Sequence, residues 1–303
     1  MFEQRTKQGA YFALAAYGFW GLAPLYFKFL AHVSPLEILC HRVVWSVLLL
    51  LGILAYMGDM SALRIGTRKL ALCSLTALLL SANWLIFISA IVENNIIEAS
   101  LGYFINPLVS VFLGMIFLRE TLRPLQWIAV AIAAMGIGFQ VVSFGVVPWI
   151  SLSLAFSFGF YGLIRKRMNL HSVAGLTIET LMLLPAALLF LSWIYVSGEM
   201  SFGYVDTKTT LLLMLGGIVT SFPLLCFGAA VSRLSLTAAG MFQYLAPTLS
   251  LIVAVGVYDE AFSIERQITF GFIWVALLVF SFETFHHHRK VNRRLKQNLF
   301  KAN

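Results

Sequence analysis

Apolar residues fill this chain in long runs rather than in alternation. Stretches of about twenty residues rich in Leu, Ile, Val, Phe, Ala and Gly recur from end to end, separated by short polar interruptions. At 1.5 Å per residue, about 20 apolar residues cross the hydrocarbon core of a bilayer as an α-helix. The pattern predicts ten such helices, at residues 9–30, 36–57, 70–92, 99–118, 124–143, 146–164, 173–196, 209–232, 236–257 and 264–285. A backbone in lipid must satisfy its own hydrogen bonds, so runs of this length are helical. The period-two alternation of a membrane β-barrel is not written here. The predicted fold is all-α and embedded in the membrane.

The polar interruptions carry direction. Call the N-terminal side of the bilayer side A. Basic clusters at 5–7, 64–69, 119–123, 165–167, 233 and 289–301 all fall on side A, and they hold 17 of the 21 Lys and Arg residues. Side B has Lys208 and Arg266, while Lys28 and Arg42 lie inside spans. Positive charge stays with the cytoplasm, so both termini are expected there. A miscounted span would have scrambled the split. The N-terminal MFEQRTKQ precedes roughly 22 mostly apolar residues, longer than a signal-peptide core, so the first run is expected to remain as a span.

Composition agrees with the pattern. Of 303 residues, 60% are hydrophobic and 11% charged, against roughly 25% charged in a soluble domain. The net charge of +8 sits in orienting loops rather than on one face, which argues against nucleic acid as a partner. Cys40, Cys73 and Cys226 all fall in apolar runs and are odd in number; they read as small buried side chains rather than a disulfide framework. The basic tail with His286, His287 and His288 reads as an interfacial stop signal, with a metal site as the lesser alternative. No cofactor is implied.

The chain also repeats itself. GFWGL at 18–22 returns as GFYGL at 159–163, 141 residues on. Glu37 has its equivalent in Glu179 at 142, and Pro107 and Glu120 have theirs in Pro247 and Glu260 at 140. The expected organisation is a first five-helix half at 1–143, a second at 144–287, and a basic tail at 288–303. Five is odd, so the second half enters the membrane inverted, an arrangement used by many secondary carriers.

Proline lacks an N–H and clashes with the carbonyl four residues earlier. Pro107 is expected to free the carbonyl of Tyr103, and Pro247 that of Gln243. Such groups need a neighbouring helix or a wet cavity. Spans four and nine are therefore expected to kink and to line a central cavity, with mere packing as the competing role. Asn106, Gln243 and Tyr244 lie beside these prolines. Trp45, Asn83, Trp84, Tyr103 and Tyr161 could complete an aromatic, weakly polar lining suited to amphipathic organic solutes. Trp149 reads as an interfacial anchor, and Glu120 and Glu260 as parts of turns.

Charges inside a membrane are costly, about 2.5–3.5 kcal/mol on insertion scales, and mark functional candidates. Lys28 closes span one; Glu37, His41 and Arg42 open span two, where Glu37, His41 and Trp45 share a helical face. Arg42 is expected to turn toward Glu37 or Glu98. Glu179 mirrors Glu37 and lies beside Arg165, Lys166 and Arg167. Three roles stand open for these groups: gating pairs, proton coupling through Glu37 and His41, since imidazole titrates near neutral pH, or static anchoring.

The segments GLAPLYFK (21–28), LEILCHRVVWS (36–46), NWLIF (83–87), EASLGYFINPL (98–108), SFGFYGLIRK (157–166), GLTIETLMLLP (175–185) and QYLAPTLS (243–250) together resemble the RarD group of EamA-type permeases in the drug/metabolite transporter superfamily. The resemblance covers nearly the whole chain. It implies a ten-helix, inverted 5+5 carrier of the bacterial inner membrane with a central cavity for a small organic solute. It leaves the solute, the direction of transport, the coupling ion and the choice between monomer and homodimer open.

Other classes fit less well. There is no GxxxxGK[ST] loop for ATP, and no HExxH or GxSxG motif. A membrane enzyme or a channel remains the alternative, the latter without a filter-like loop.

Overall fold

Every regular element among the described residues is helical. In a computed structural model the backbone is described over residues 2–92, 96–144, 149–258 and 264–302, with side chains described over most of these outside 88–101 and 287–302. The helices are α1 (Phe2–Phe29), α2 (Pro35–Tyr56), α3 (Thr67–Val92), α4 (Ile96–Leu118), α5 (Pro124–Phe144), α6 (Trp149–Met168), α7 (Ser172–Val196), α8 (Thr207–Val231), α9 (Leu236–Gln243), α10 (Leu245–Tyr258) and α11 (Ile264–Ala302), with a 3-10 turn at Met60–Leu63. Among the described residues, eight stretches are long and apolar enough to cross a bilayer; Leu236–Val257, spanning α9 and α10, is one of them. The apolar part of α4, Gly102–Leu118, is shorter, and α6 ends on Arg165, Lys166 and Arg167. Together they make ten spans.

Ends of equivalent helices are built alike. After α2, Gly58 takes φ 66°, and after α7, Gly198 takes φ 73°. At the first, the amides of Gly58 and Asp59 donate to the carbonyls of Ala55 and Leu54; at the second, those of Gly198 and Glu199 donate to Tyr195 and Ile194. This is the paired C-terminal bonding that a left-handed residue permits, and glycine adopts it without a Cβ penalty. The two stops lie 140 residues apart. Side-A cations complement other helix ends: Arg167 donates to the carbonyl of Phe117 at 2.5 Å, and Lys166 to those of Val231 and Leu234.

Span nine is interrupted rather than smoothly bent. α9 starts on Ser235, whose hydroxyl accepts from the amide of Ala238 at 3.0 Å, and stops at Gln243. α10 restarts at Leu245, which places Pro247 in a first turn, where a missing N–H leaves no bond unmade. α4 runs through Pro107 with its helical assignment unbroken.

The chain divides into two compact units, and neither is a sequence half. The larger holds residues 1–118 and 148–260, the smaller 119–147 and 261–303. In the larger unit the packing follows the repeat. α3 against α6 is matched by α8 against α1, α4 against α6 by α10 against α1, while α2 meets α7 and α4 meets α9. One match is unequal: α2 packs on α8 far more extensively than α7 packs on α3. Glycine sets the closer contact, because a Cβ on Gly217 would stand 2.6 Å from the Trp45 carbonyl carbon. Small residues allow such backbone approach between membrane helices.

The smaller unit is the pair α5 and α11. A Cβ on Gly136 would stand 2.6 Å from that of Phe272, and Arg123 grips Glu283 through two contacts, Nε to Oε1 at 2.6 Å and Nη2 to Oε2 at 2.7 Å. α11 stays helical through the basic tail.

Candidate functional site: two sealed carboxylates and a half-buried arginine

The larger unit holds three polar centres. At side A, Glu179 of α7 is fully buried. Its Oε1 accepts from the Thr76 hydroxyl of α3 at 2.7 Å and from Arg165 Nη1 of α6 at 3.4 Å, and its Oε2 accepts from the Tyr161 hydroxyl at 3.3 Å. Arg165 also donates to the Ser172 carbonyl at 3.3 Å. Glycine makes room for it: a Cβ on Gly175 would overlap the guanidinium, and one on Gly228 would sit 2.9 Å from Nη2. Tyr161 lies parallel to Phe227 at 5.8 Å in the apolar cluster beneath. The result is a plug tied across α3, α6 and α7.

At side B, Glu37 is equally buried but meets no guanidinium among the described residues. Its Oε1 accepts from the backbone amides of Ser201 and Phe202, at 2.8 and 2.9 Å, in the linker between α7 and α8. His41 Nε2 stands 3.9 Å from the same oxygen, and its ring stacks on Phe202 at 4.5 Å. Nearby, His32 meets Thr209 at 2.9 Å. The linker ends on Asp206, which caps α8 through the amide of Thr209. That amide holds the exposed Asp206 carboxyl below the usual carboxylate range. Here the acid latches a loop.

Between these ends lies Arg42 of α2. Sequence reasoning pointed it at Glu37 or Glu98. The structure turns it to α8 and α3 instead: Nε donates to Thr220 at 2.7 Å, and the guanidinium lies 4.8 Å from the Trp84 ring centre and 5.4 Å from that of Phe27. Glu37 is engaged by the linker amides, and the side chain of Glu98 lies outside the described residues. The hydroxyls of Tyr26 and Tyr103 lie within electrostatic reach of the guanidinium. Arg42 is half-buried, and Tyr103 keeps 46% exposure while its ring meets Phe87 edge-on. The cluster therefore borders accessible space.

The other predicted residues are distributed as follows. Asn83 ties α3 to α6, donating to the Leu154 carbonyl and the Ser157 hydroxyl, each at 2.9 Å. Tyr161 belongs to the plug. Trp45 lies against α8, and its buried Nε1 has no hydrogen-bond partner among the described residues. Asn106 and Gln243 are buried where α4 meets α9, and the Gln243 amide oxygen accepts from Ser110 at 3.5 Å. Tyr244, at the break between α9 and α10, is fully buried. At the α4–α9 contact, a Cβ on Gly240 would sit 3.0 Å from the Pro107 carbonyl. Lys28 is exposed near the end of α1. Glu260 and the side chains of His287 and His288 lie outside the described residues.

The sequence sets Glu179 beside the basic triplet 165–167 without choosing among its members; α6 continues past Arg165 and buries it to 5% exposure, which singles it out. The signal was the acid at 179 and the two glycines that surround the guanidinium. The role of Ser201 and Phe202 carried no signal, because backbone amides recognise Glu37 there.

Ten apolar helical spans, with repeat-related helices packed together within the larger unit, define a multi-pass membrane protein. A family model for the EamA-like transporter family matches residues 7–142 and again 147–282. A Vibrio cholerae protein named "Uncharacterized transporter" is 50% identical over 92% of this chain and 93% of its own length. "Protein RarD" of Salmonella typhi is 45% identical over 96% of this chain and all of its own length. "Chloramphenicol-sensitive protein RarD" of Pseudomonas aeruginosa is 33% identical over 95% and 98%. A solved structure entitled "Crystal structure of protein" covers 91% of this chain with a TM-score of 0.70 at 20% identity, a likeness of fold alone. The chain belongs to the EamA-like transporter family and is of the RarD type.

Proposed function

We propose that the chain is a secondary carrier that moves a small organic solute across the bacterial inner membrane by alternating access, both termini being cytoplasmic. One observation carries the reading. Equivalent acids close opposite ends of one helical unit, Glu179 with Arg165, Thr76 and Tyr161 at side A, and Glu37 with the 201–202 linker at side B. Two related halves inserted in opposite senses can exchange shapes, so that each closure opens while the other holds. The unequal packing of α2 on α8 and of α7 on α3 supports this, because exact symmetry would leave both ends alike. On this reading Trp84, Tyr103 and Arg42 face the solute. Glu37, His41 and Glu179 belong to the closures rather than to proton transfer.

Counterflow tests it. Proteoliposomes preloaded with a mixture of amphipathic metabolites should accumulate a labelled member of the mixture against its gradient. Influx that never exceeds equilibration marks a channel and overturns the carrier reading.

A further inference from the structure

We infer that the group of the solute recognised by this carrier is a carboxylate on a flat apolar body, and that Arg42 receives it. The inference rests on the carrier reading above and assigns its substrate class. Among the described residues Arg42 meets no carboxylate: Oε1 of Glu37 holds two linker amides, and Glu179 holds Arg165. Its Nε is fixed on Thr220, while its two Nη groups donate to no described residue. A guanidinium in that state is a fork of free N–H donors on an anchored stem, the geometry that receives a carboxylate through two parallel bonds.

The surroundings select the rest of the molecule. Trp84 and Phe27 present ring faces to the guanidinium, stabilising the cation while the site is empty and offering apolar area to a planar body. The half-exposed Tyr103 borders the same space. One cation matches a monoanion. The repeat argues against a purely structural role, because the residue 142 further on is Leu184. The equivalent place in the second half is filled by a hydrocarbon side chain. Glycine also keeps the stem in place: a Cβ on Gly216 would stand 3.0 Å from Arg42 Cγ and 3.1 Å from the Tyr26 hydroxyl.

The test is binding to the purified full chain in zwitterionic-lipid nanodiscs, using benzoate, 3-phenylpropionate, indole-3-acetate and hexanoate, each beside its primary amide. At least one aromatic acid should bind about tenfold or more tightly than its amide, the scale of one charge-assisted pair. Arg42→Gln should bring that acid down to its amide, and Arg42→Lys should fall between, since an ammonium lacks the fork. Trp84→Leu should weaken the aromatic acids more than hexanoate. If Arg42→Gln does not fold, the wild-type acid–amide comparison and Trp84→Leu still decide. Equal binding of acids and amides throughout overturns the assignment, as does an Arg42→Gln variant with wild-type discrimination. Counterflow separates the failures: neutral amphipaths that exchange while no acid outbinds its amide sink the carboxylate and spare the carrier. Acids that bind through Arg42 but never exchange sink the carrier and spare the site.

Discussion

Glu37 and Glu179 occupy equivalent places in the two halves, are equally buried, and hold the protein together by different means. Glu179 is matched by side chains, namely one guanidinium and two hydroxyls from α3 and α6. Glu37 is matched by two backbone amides of a linker. A buried carboxylate needs compensation in either case, but the compensation decides what can move. The side-A cluster ties helices to one another, so opening it separates a buried ion pair. The side-B latch ties a helix to a loop, which can lift while the helices keep their packing. The repeat has kept the acid and changed what it holds.

The largest expected effect lies at the plug. Glu179→Ala leaves Arg165 buried without its carboxylate, and breaking a buried pair from one side costs about 3–5 kcal/mol. Thermal unfolding of the purified protein should show a steep fall in Tm. The double variant Glu179→Leu with Arg165→Met should recover much of it, because the charge is removed with its partner. A Glu179→Ala variant no less stable than Glu37→Ala would erase the distinction between plug and latch.

Glu37→Ala comes next. It takes the acceptor from two amides, each bond to a charged group being worth about 1.5–3 kcal/mol, but the loss falls on the linker. Amide exchange at Ser201 and Phe202 should accelerate while Tm drops less than for Glu179→Ala. Glu37→Gln keeps an acceptor oxygen and should exchange at an intermediate rate. Unchanged exchange in Glu37→Ala would mean the latch holds by the stacking of His41 on Phe202 instead.

Gly217→Ala sharpens the contrast from the packing side. Its Cβ must push Trp45 away, an overpacking cost of about 1–3 kcal/mol, and it loosens α2 on α8 without touching either acid. Ser201→Cys, in a chain with Cys40, Cys73 and Cys226 replaced, should then label faster. Equal labelling would detach the close helix contact from the Glu37–linker contact.

The smallest effect concerns Asp206, where the linker enters α8. The Thr209 amide lowers the carboxyl's pKa in the folded chain. Its contribution is therefore present above the unfolded-state value and lost as pH falls through the folded one. Asp206→Asn, which keeps an acceptor but no titration, should flatten the acid limb of the Tm–pH curve slightly. A limb identical to wild type would take Asp206 out of the linker's pH response.

The spans were legible because hydropathy and length are local quantities, and a bilayer allows few alternatives to a helix. The repeat was legible in GFWGL and GFYGL, and the structure adds the equivalent glycine stops at 58 and 198. Edges were less so. The basic triplet at 165–167 reads as a loop, yet helix continues through it because Arg165 finds Glu179, and that encounter depends on α7 folding back beside α6. Tyr161 and Asn83, expected around a cavity, instead make the plug and the tie between α3 and α6. Their chemistry was visible from the start; their neighbours were not.

By itself the amino-acid order determined that this is a ten-helix membrane protein written twice in opposite senses, because solvent preference accumulates residue by residue along a run. Only the tertiary structure decided which partner each intramembrane charge takes. The order of residues gives Glu37, Arg42, Arg165 and Glu179 similar invitations to pair. The packing of α2 on α8 and of α6 on α7 sends one acid to a linker, joins the other to Arg165, and leaves Arg42 on Thr220 between two aromatic rings. Electrostatic partners are set by distances of a few ångströms between segments far apart in the chain, and those distances exist only once the helices have packed.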